Sequence, residues 1–485
     1  MSKIKTVVDE RFKIYCKRLL IGIVIYAILV VAFYFLAGDN LHFRQSRGNL
    51  AMPSADTFLD ELTEGKVLEQ VFSAKIQRLE SVSVLWANYD RENAGTLTVE
   101  LCRVDDGIQV MSGQFNVAEL GDYQTLSLRA DPPIETVYDM PLRLRVFADS
   151  QPGSAGSLFA CATAQGEGFS LTENGVQVEG GLCFAAQGTD FIWLGKHYWL
   201  FAGVLGAVLV FFFLLVWYRA RSGRHSYIIN AFIALDKYSF LIRTLVSRDF
   251  KVKYKRSILG VFWSFLNPLL MMVVQYYVFS TLFNPDIPNF GAYLIIGTVM
   301  FNFFSESVGL ALSSILDNAG LITKVYMPKY VYPLTRVLSS LINLAISCIP
   351  MLIVCLITGV HFHKSAILGL YFLCCLVMFC LGMGLLLSTS MVFFRDTQFL
   401  WSVVNMMWMY ATPIFYPERI LPDNLRKILN FNPLYHFIKS VRICILDGVS
   451  PEPRVYIQCM LFALGAVLVG AVVFKKHQDK FVLYL

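Results

Sequence analysis

What this chain lacks closes off several classes of function. No G-x-x-x-x-G-K-[S/T] occurs in its 485 residues and no stretch reads as a nucleotide-binding α/β domain, so no ATP-hydrolysing module of its own is expected. Its eleven cysteines form no CxxC pair and no Cys/His cluster at metal-ligand spacing, so no metal site and no cofactor is expected in the chain. A D-x-D or similar carboxylate cluster, which a membrane glycosyltransferase or glycan polymerase needs, is absent. There are no long repeats and no low-complexity tract. Charge itself is scarce: 16% of residues are charged against 56% apolar and 14% aromatic, far from the balance of a soluble protein.

What is present is hydrocarbon-compatible sequence. Charge-poor apolar runs lie at about 19–37, 198–218, 258–283, 290–312, 331–360, 365–394, 397–416 and 455–474. Each approaches the roughly 20 residues that cross a bilayer as a helix, so the fold class is a polytopic α-helical membrane protein of about eight transmembrane helices. The first run is preceded by 18 hydrophilic residues and is longer than a signal-peptide core, so it reads as an anchor and not as a cleaved leader.

The net charge of +6 hides a division. Residues 38–196 hold 22 acidic and 11 basic side chains, a balance of −11, and the remainder carries +17. Six bases crowd into 1–18 and ten into 218–256, flanking the first two runs. The positive-inside rule then places both flanks and both termini in the cytoplasm and the acidic block outside, in the plasma or inner membrane. The 413–455 loop runs against this, with six bases and four acids on the expected outer side. Amphipathic re-entrant helices would account for it. The domains expected are 1–37, cytoplasmic N-terminus and first helix; 38–196, extracytoplasmic; 197–218, second helix; 219–257, cytoplasmic interfacial helix; and 258–485, a six-helix membrane domain.

Within the acidic block, period-two segments such as Thr96 to Val104, Thr125 to Arg129, Leu142 to Phe147 and Gly175 to Val178 are separated by turn residues, with Asp106-Gly107 and Asn174-Gly175 as hairpin signals. This predicts an inserted β-sandwich. Its N-G-T-L-T-V-like strand before a D-D-G turn resembles the small carbohydrate-binding-like sandwiches of surface proteins. On that likeness Trp86, Tyr89, Tyr123 and Tyr138 are the rings available to stack on sugar. Three cysteines fall here, and a Cys161 to Cys183 disulfide is one possible pairing among them.

The stretch KVKYKRSILGVFWSFLNPLL (Lys251 to Leu270) joins two opposed segments. Arg248, Lys251, Lys253, Lys255 and Arg256 form a cationic edge, and from Ile258 to Phe283 no side chain is charged. Apolar residues at helical spacing before it (Phe232, Leu235, Leu241, Leu245) suit a helix lying in the inner interface among anionic headgroups. RDFKVKY followed by Gly260, Trp263 and Pro268 resembles the start of the permease subunit of type 2 ABC exporters for polysaccharide, O-antigen and teichoic acid. LITKVYMPKYVYPL (Leu321 to Leu334), VFFRDTQFL (Val392 to Leu400), ATPIFYP (Ala411 to Pro417) and FNPLYHFI (Phe431 to Ile438) continue it in order, over about residues 225–485.

The resemblance implies a homodimer of this chain with two copies of a separate ATPase, which holds the ATP and Mg, and a lipid-linked polysaccharide as cargo. No nucleic-acid partner is expected. The short segment Ser314 to Lys329 would be the coupling helix, with Leu321, Ile322, Lys324, Val325, Tyr326 and Met327 toward the ATPase and Arg395 and Asp396 as a smaller second contact. A plain connecting loop is the alternative on composition alone. Aromatic rings hold sugar C–H faces weakly and permit sliding. Trp263, Tyr276, Tyr277, Phe301, Phe303, Phe304, Trp401, Trp408, Tyr410, Phe415 and Tyr416 are therefore the path candidates, although lipid-facing and interfacial aromatics look the same in sequence. Phe301, Phe303 and Phe304 do not share one helical face. Glu306, an acid inside an apolar run, is expected to face a polar path and touch substrate, with a structural pair with Arg336 or a neutral hydrogen-bonded acid as the alternatives. Leu425, Ile428 and Leu429 opposite Arg426 and Lys427 predict a short amphipathic gate helix. An ABC exporter of lipid or drug, a glycan polymerase or glycosyltransferase, and a receptor reading the outer block are the alternatives.

Overall fold

In the computed structural model the chain divides into two compact units, Met1–Leu41 with His197–Leu485, and His42–Lys196. The structure describes residues 2–47, 57–73, 76–135, 140–161, 170–221, 227–255, 260, 262–283, 289–324 and 327–485. Arg256, Val325, Tyr326 and Tyr138 lie outside them.

The smaller unit is all β apart from short turns and a terminal helical turn. Its strands are β1 (Phe43–Arg47), β2 (Thr57–Phe58), β3 (Val67–Ser73), β4 (Arg78–Ala87), β5 (Thr96–Arg103), β6 (Gln109–Asn116), β7 (Gln124–Glu135), β8 (Pro141–Ala148), β9 (Ser157–Cys161), β10 (Ser170–Glu173), β11 (Val176–Val178), β12 (Gly181–Leu182) and β13 (Phe184–Phe191). One sheet runs β1-β13-β4-β9-β12, with β2 on β9 and β7 on β4; the other runs β11-β10-β3-β8-β5-β6. Pairing is antiparallel throughout these ladders. Strands β3 and β8 alternate strictly between buried and half-buried positions, the expected pattern of a sheet with one face in the core. Between the sheets Phe72 meets Phe184 with centroids 4.6 Å apart, and Trp86 is fully buried. Gly107 and the Asn174-Gly175 pair hold the positive φ values that close the β5–β6 and β10–β11 hairpins. Cys161 and Cys183 lie close in register as buried thiols, packed with Ala87 and Phe159.

The larger unit is helical: α1 (Ser2–Ala37), α3 (Tyr198–Arg221), α4 (Tyr227–Tyr254), α5 (Phe262–Phe283), α6 (Phe290–Asp317), α7 (Ala319–Ile322), α8 (Val331–Ile357), α9 (Gly369–Phe393), α10 (Thr397–Ala411), α11 (Asp423–Leu429), α12 (Pro433–Arg442), α13 (Pro453–His477) and α14 (Phe481–Tyr484); α2 (Trp193–Lys196) ends the β unit. Among the described residues, seven helices are long and apolar enough to cross a membrane. The eighth expected run, 397–416, is corrected: α10 has 15 residues, about 22 Å at 1.5 Å per residue, short of the roughly 30 Å of hydrocarbon. It stops at Ala411 because Pro413 has no N–H to continue the ladder. The single gate helix expected after it is two short helices, α11 and α12. Asn432 caps α12, its side chain accepting from the Leu434 and Tyr435 amides, and Pro433 takes the first helical position.

α6 is the central rod, with 72% of its span buried, and packs on α5, α8, α9 and α12. Phe301, Phe303 and Phe304 are all buried although they point in different directions, because packing covers α6 everywhere except along the stripe of Asn302, Glu306, Gly309 and Ser313. α9 and α13 pack backbone to backbone. A Cβ on Gly382 would run into the Ala466 carbonyl group, and one on Gly470 into the carbonyl of Gly382. Gly382→Leu or Gly470→Val should therefore cost about 2 kcal/mol or more by overpacking, whereas Gly465→Ala, with open space at its Cβ, should be silent. Thermal unfolding of the detergent-purified variants measures both.

Candidate functional site

The C-terminal end of α6, the turn helix α7 and the start of α8 form an elbow, and a second elbow joins α9 to α10. Both are built on one apolar cluster of Leu245, Ile315, Met327, Val331, Tyr332, Val392, Phe474 and Phe481, with Leu321 and Ile322 half-buried against it. Lys324, Arg395 and Asp396 are exposed. Met327 is not available to a partner, being buried in the chain's own cluster at 8% exposure. Pro328 interrupts the backbone before α8, and the Lys329 ammonium donates to the Gln478 carbonyl at 2.6 Å and lies over the Phe481 ring, so the chain's C-terminal turns brace the elbow.

Beside this elbow α4 is tied to the bundle by ions. Lys253 Nζ donates to Glu306 Oε1 at 2.6 Å, and Asn343 Nδ2 donates to the same oxygen at 2.7 Å. Tyr254 donates to Asn343 Oδ1 at 2.9 Å and also meets the Ser264 hydroxyl, bringing in α5. Arg336 forks between Asp249 (3.1 Å) and Asp317 (3.4 Å), and Arg248 holds Asp249 at 2.9 Å and Asn318 at 3.3 Å. The partner of Glu306 is thus Lys253 and not Arg336, whose two acids lie one turn from the elbow. Of the cationic edge, Arg248, Lys251, Lys253 and Lys255 are all exposed, and Arg248 and Lys253 also pair with acids.

The path candidates separate into two groups. Phe301, Phe304, Trp401 and Phe415 are buried within the single chain. Phe304 touches Phe301, Phe379, Trp401 and Trp408 with centroids 5.3–6.0 Å apart, a packed aromatic knot. Tyr276, Trp408 and Tyr416 are half-buried; Trp408 donates to Asn432 at 2.8 Å and Tyr416 to the Tyr410 carbonyl at 2.8 Å. Trp263, Tyr277 and Tyr410 are exposed, Tyr277 by 74%. In the β unit, Trp86 cannot stack on sugar, because its position on the inward face of β4 buries it completely. The Tyr89 hydroxyl donates to the Leu59 carbonyl at 2.6 Å with Arg91 over its ring, and Tyr123 lies on Phe159 with its outer face open.

Sequence reasoning missed Arg442. It is fully buried at the other end of α6, over the Tyr293 ring at 3.4 Å, and donates to the carbonyls of Tyr293 (2.9 and 3.1 Å), Pro413 (2.7 Å) and Ile414 (2.9 Å). The guanidinium ties the end of α12 to α6 and to the break after α10. A lone arginine in an otherwise apolar helix end was the available signal. Nearby, burial pushes the Glu418 carboxyl up, but hydrogen bonds from Lys439 and Tyr435 outweigh it and hold the group below its ordinary range.

Seven long apolar helices joined by charged elbows, among the described residues, make this a polytopic helical membrane protein. The family model described as ABC-2 type transporter matches residues 240–446, and the chain belongs to this family. It is similar to the O-antigen export system permease protein RfbA of Klebsiella pneumoniae, 31% identical over 245 residues, which cover 50% of this chain and 93% of the relative. The RfbA protein of Myxococcus xanthus is 30% identical over 51% of this chain and 96% of its own. The polysialic acid transport protein KpsM of Escherichia coli is 24% identical over 49% and 93%. The β unit lies outside the family match.

Because Glu306 would keep only Asn343 if the ammonium were removed, Lys253→Met and Glu306→Gln should each cost about 1–2 kcal/mol. The double variant should cost clearly less than their sum, since neither leaves a lone charge in it. A double-mutant cycle on thermal stability in detergent checks this.

Proposed function

We propose that this chain is the membrane subunit of an exporter that carries a cell-envelope polysaccharide of the O-antigen or capsule kind outward, driven by ATP hydrolysis on a separate subunit. The observation that carries the reading is the match, over nearly the whole length of each relative, to permeases of O-antigen and polysialic acid export. The absence of a phosphate-binding loop from the sequence supports placing the ATPase on another chain. Two copies of each subunit form the working assembly in this reading.

The cytoplasmic face is the one that carries α4 and the two elbows. Its basic residues favour that side, and with it both termini inside and the acidic β unit outside. An even number of crossings then requires α10 to cross together with the irregular stretch that follows it, the two spanning what 15 helical residues do not. The ATPase docks on Leu321, Ile322, Lys324, Arg395 and Asp396, and force reaches α6 and α8 through the ion pairs with α4. Trp263, Tyr277 and Tyr410, which offer exposed rings, are the residues of the aromatic set that face the moving glycan.

Two outcomes follow. Lys324→Glu combined with Arg395→Glu should weaken association with the ATPase by about tenfold, since each exposed charge contributes about 0.5–1 kcal/mol, without lowering the melting temperature of the permease alone. Pull-down with the co-expressed ATPase measures it, and normal capture and export by the double variant would refute the docking assignment. Single cysteines at Gly107 and Gly175 should react with an impermeant maleimide in intact cells and one at Thr323 should not. Labelling of Thr323 from outside would overturn the orientation.

A further inference from the structure

We infer that the open stripe of α6 is the floor of a hydrated groove along which the exported glycan passes, an assignment that rests on the polysaccharide reading and adds a route to it. Asn302, Glu306, Gly309 and Ser313 follow one another at spacings of four, three and four, which puts them on one face of the helix. Asn302 is exposed and the other three are half-buried. A Cβ placed on Gly309 would meet nothing within 4 Å, so there is free space above the stripe.

Depth limits what can fill that space. Asn302 is near the middle of a 28-residue helix, about 18 Å from one end and about 22 Å from the other at 1.5 Å per residue. Its amide makes no hydrogen bond to another described residue, and neither does Glu306 Oε2, since Lys253 and Asn343 both donate to Oε1. Acyl chains offer no donor or acceptor to such groups, so lipid covers them poorly. A third unused group lies alongside: Asn405 of α10 donates to Ser305 at 2.8 Å, but its Oδ1 is buried without a partner. Water or hydroxyl groups satisfy all three.

The neighbouring helices make the stripe a groove. On one side α10 is bonded through Asn405 to Ser305, and on the other α4 and α8 are bonded through Lys253 and Asn343 to Glu306. Ser305 and Glu306 are adjacent in sequence and so diverge by about 100° around the axis, with the line of Asn302, Gly309 and Ser313 running between them. One turn beyond Asn302, Thr298 donates to Gln275 of α5 at 2.9 Å, and from there to Phe290 every position of α6 except Tyr293 is buried. The groove is therefore open toward the Asp317 elbow and closed toward Arg442. Lys253 neutralises Glu306, which leaves an amide, a hydroxyl and one shielded carboxylate oxygen to exchange hydrogen bonds with sugar hydroxyls. Ser305, Gly309 and Ser313 at intervals of four would also let a helix of a second copy lie close, and crosslinking separates that outcome.

The test uses the full chain with its ATPase, after replacement of the native cysteines and confirmation that this background still exports. In inverted membrane vesicles, single cysteines at Asn302, Gly309 and Ser313 should react with a charged methanethiosulfonate at least about tenfold faster than cysteines at Phe303, packed in the core, and Leu468, exposed on α13, because the thiolate needs water. Polymer synthesis in the cells should slow that labelling about threefold by occupying the groove. Asn302→Leu and Gly309→Trp should lower surface polysaccharide about fivefold or more with melting temperature and ATPase capture unchanged, whereas Leu468→Trp should leave it as it is. Labelling no faster than at Leu468, normal export by Gly309→Trp, or oxidative crosslinking of Gly309→Cys into a dimer would each overturn the route, the last in favour of an interface between copies. Surface polysaccharide that survives deletion of the chain refutes the exporter reading itself, and its loss on deletion together with an unreactive stripe refutes the groove alone.

Discussion

The contact between Lys253 and Glu306 is the one on which the α4 end of the bundle depends. Glu306 sits well inside an apolar helix, where an uncompensated carboxylate costs several kcal/mol. α4 is too charged to span hydrocarbon and has only an amphipathic face to offer. Pairing serves both, because the partly exposed Lys253 ammonium neutralises the acid that α6 carries along its open stripe. The surrounding network keeps the balance: Arg248, Lys253 and Arg336 meet Asp249, Glu306 and Asp317, three cations and three anions. A neutral junction of this kind is rigid in register yet contributes little net stability, since each ion gives up hydration to form it.

At its other end α6 is held in a different way. Arg442 has no carboxylate partner and is solvated by carbonyl oxygens that the break after α10 leaves without helical donors. Thus the proline that shortens α10 also creates the acceptors that make a buried guanidinium tolerable. Between the two fixed ends α6 runs 28 residues, about 42 Å, with no proline. A displacement imposed at Asp317 is carried to Tyr293 by one continuous hydrogen-bonded rod whose packing in between is apolar and aromatic.

Period and charge count made the larger features legible in the sequence. The helical runs, the β sandwich between the first two of them, the amphipathic α4 and the turn chemistry at Gly107 and Gly175 all follow from local pattern. What was not legible is long-range or depends on burial. Lys253 and Glu306 are separated by 53 residues, and nothing in the local sequence chooses Lys253 over Arg336. Trp86 reads as a candidate sugar platform until the strand's facing is known, and its inward position is set by pairing with β7, β9 and β13. Phe301 and Phe304 read as path residues because they are aromatic, but they lie off the stripe of Asn302, Glu306 and Gly309 that α6 leaves open and are packed against neighbouring helices. Composition alone also counts 397–416 as a full crossing, although its helix ends five residues early.

The family match begins at residue 240, so the helices before it need a separate account. α1 and α3 are almost wholly exposed, yet they are fixed to each other by two reciprocal bonds, Tyr26 to the Ala202 carbonyl and Tyr198 to the Val30 carbonyl, each 2.7 Å. The paired positions rise on one helix as they fall on the other, so the two run antiparallel. Within the β unit the first and last strands pair in register from Phe43 with Phe191 to Arg47 with Gln187, which brings its two chain ends together. An element whose ends meet can be inserted into a helical hairpin without opening either fold, the ordinary condition for tolerated domain insertion. Tyrosine hydroxyls bonding to backbone carbonyls of the opposite helix supply what an apolar hairpin otherwise lacks, a fixed register. The added pair is thus self-consistent before it touches the permease core. Its attachment to that core is correspondingly slight, through Phe33 on Tyr456 at 4.9 Å and the turn at 364–368, so the core's own packing does not depend on it.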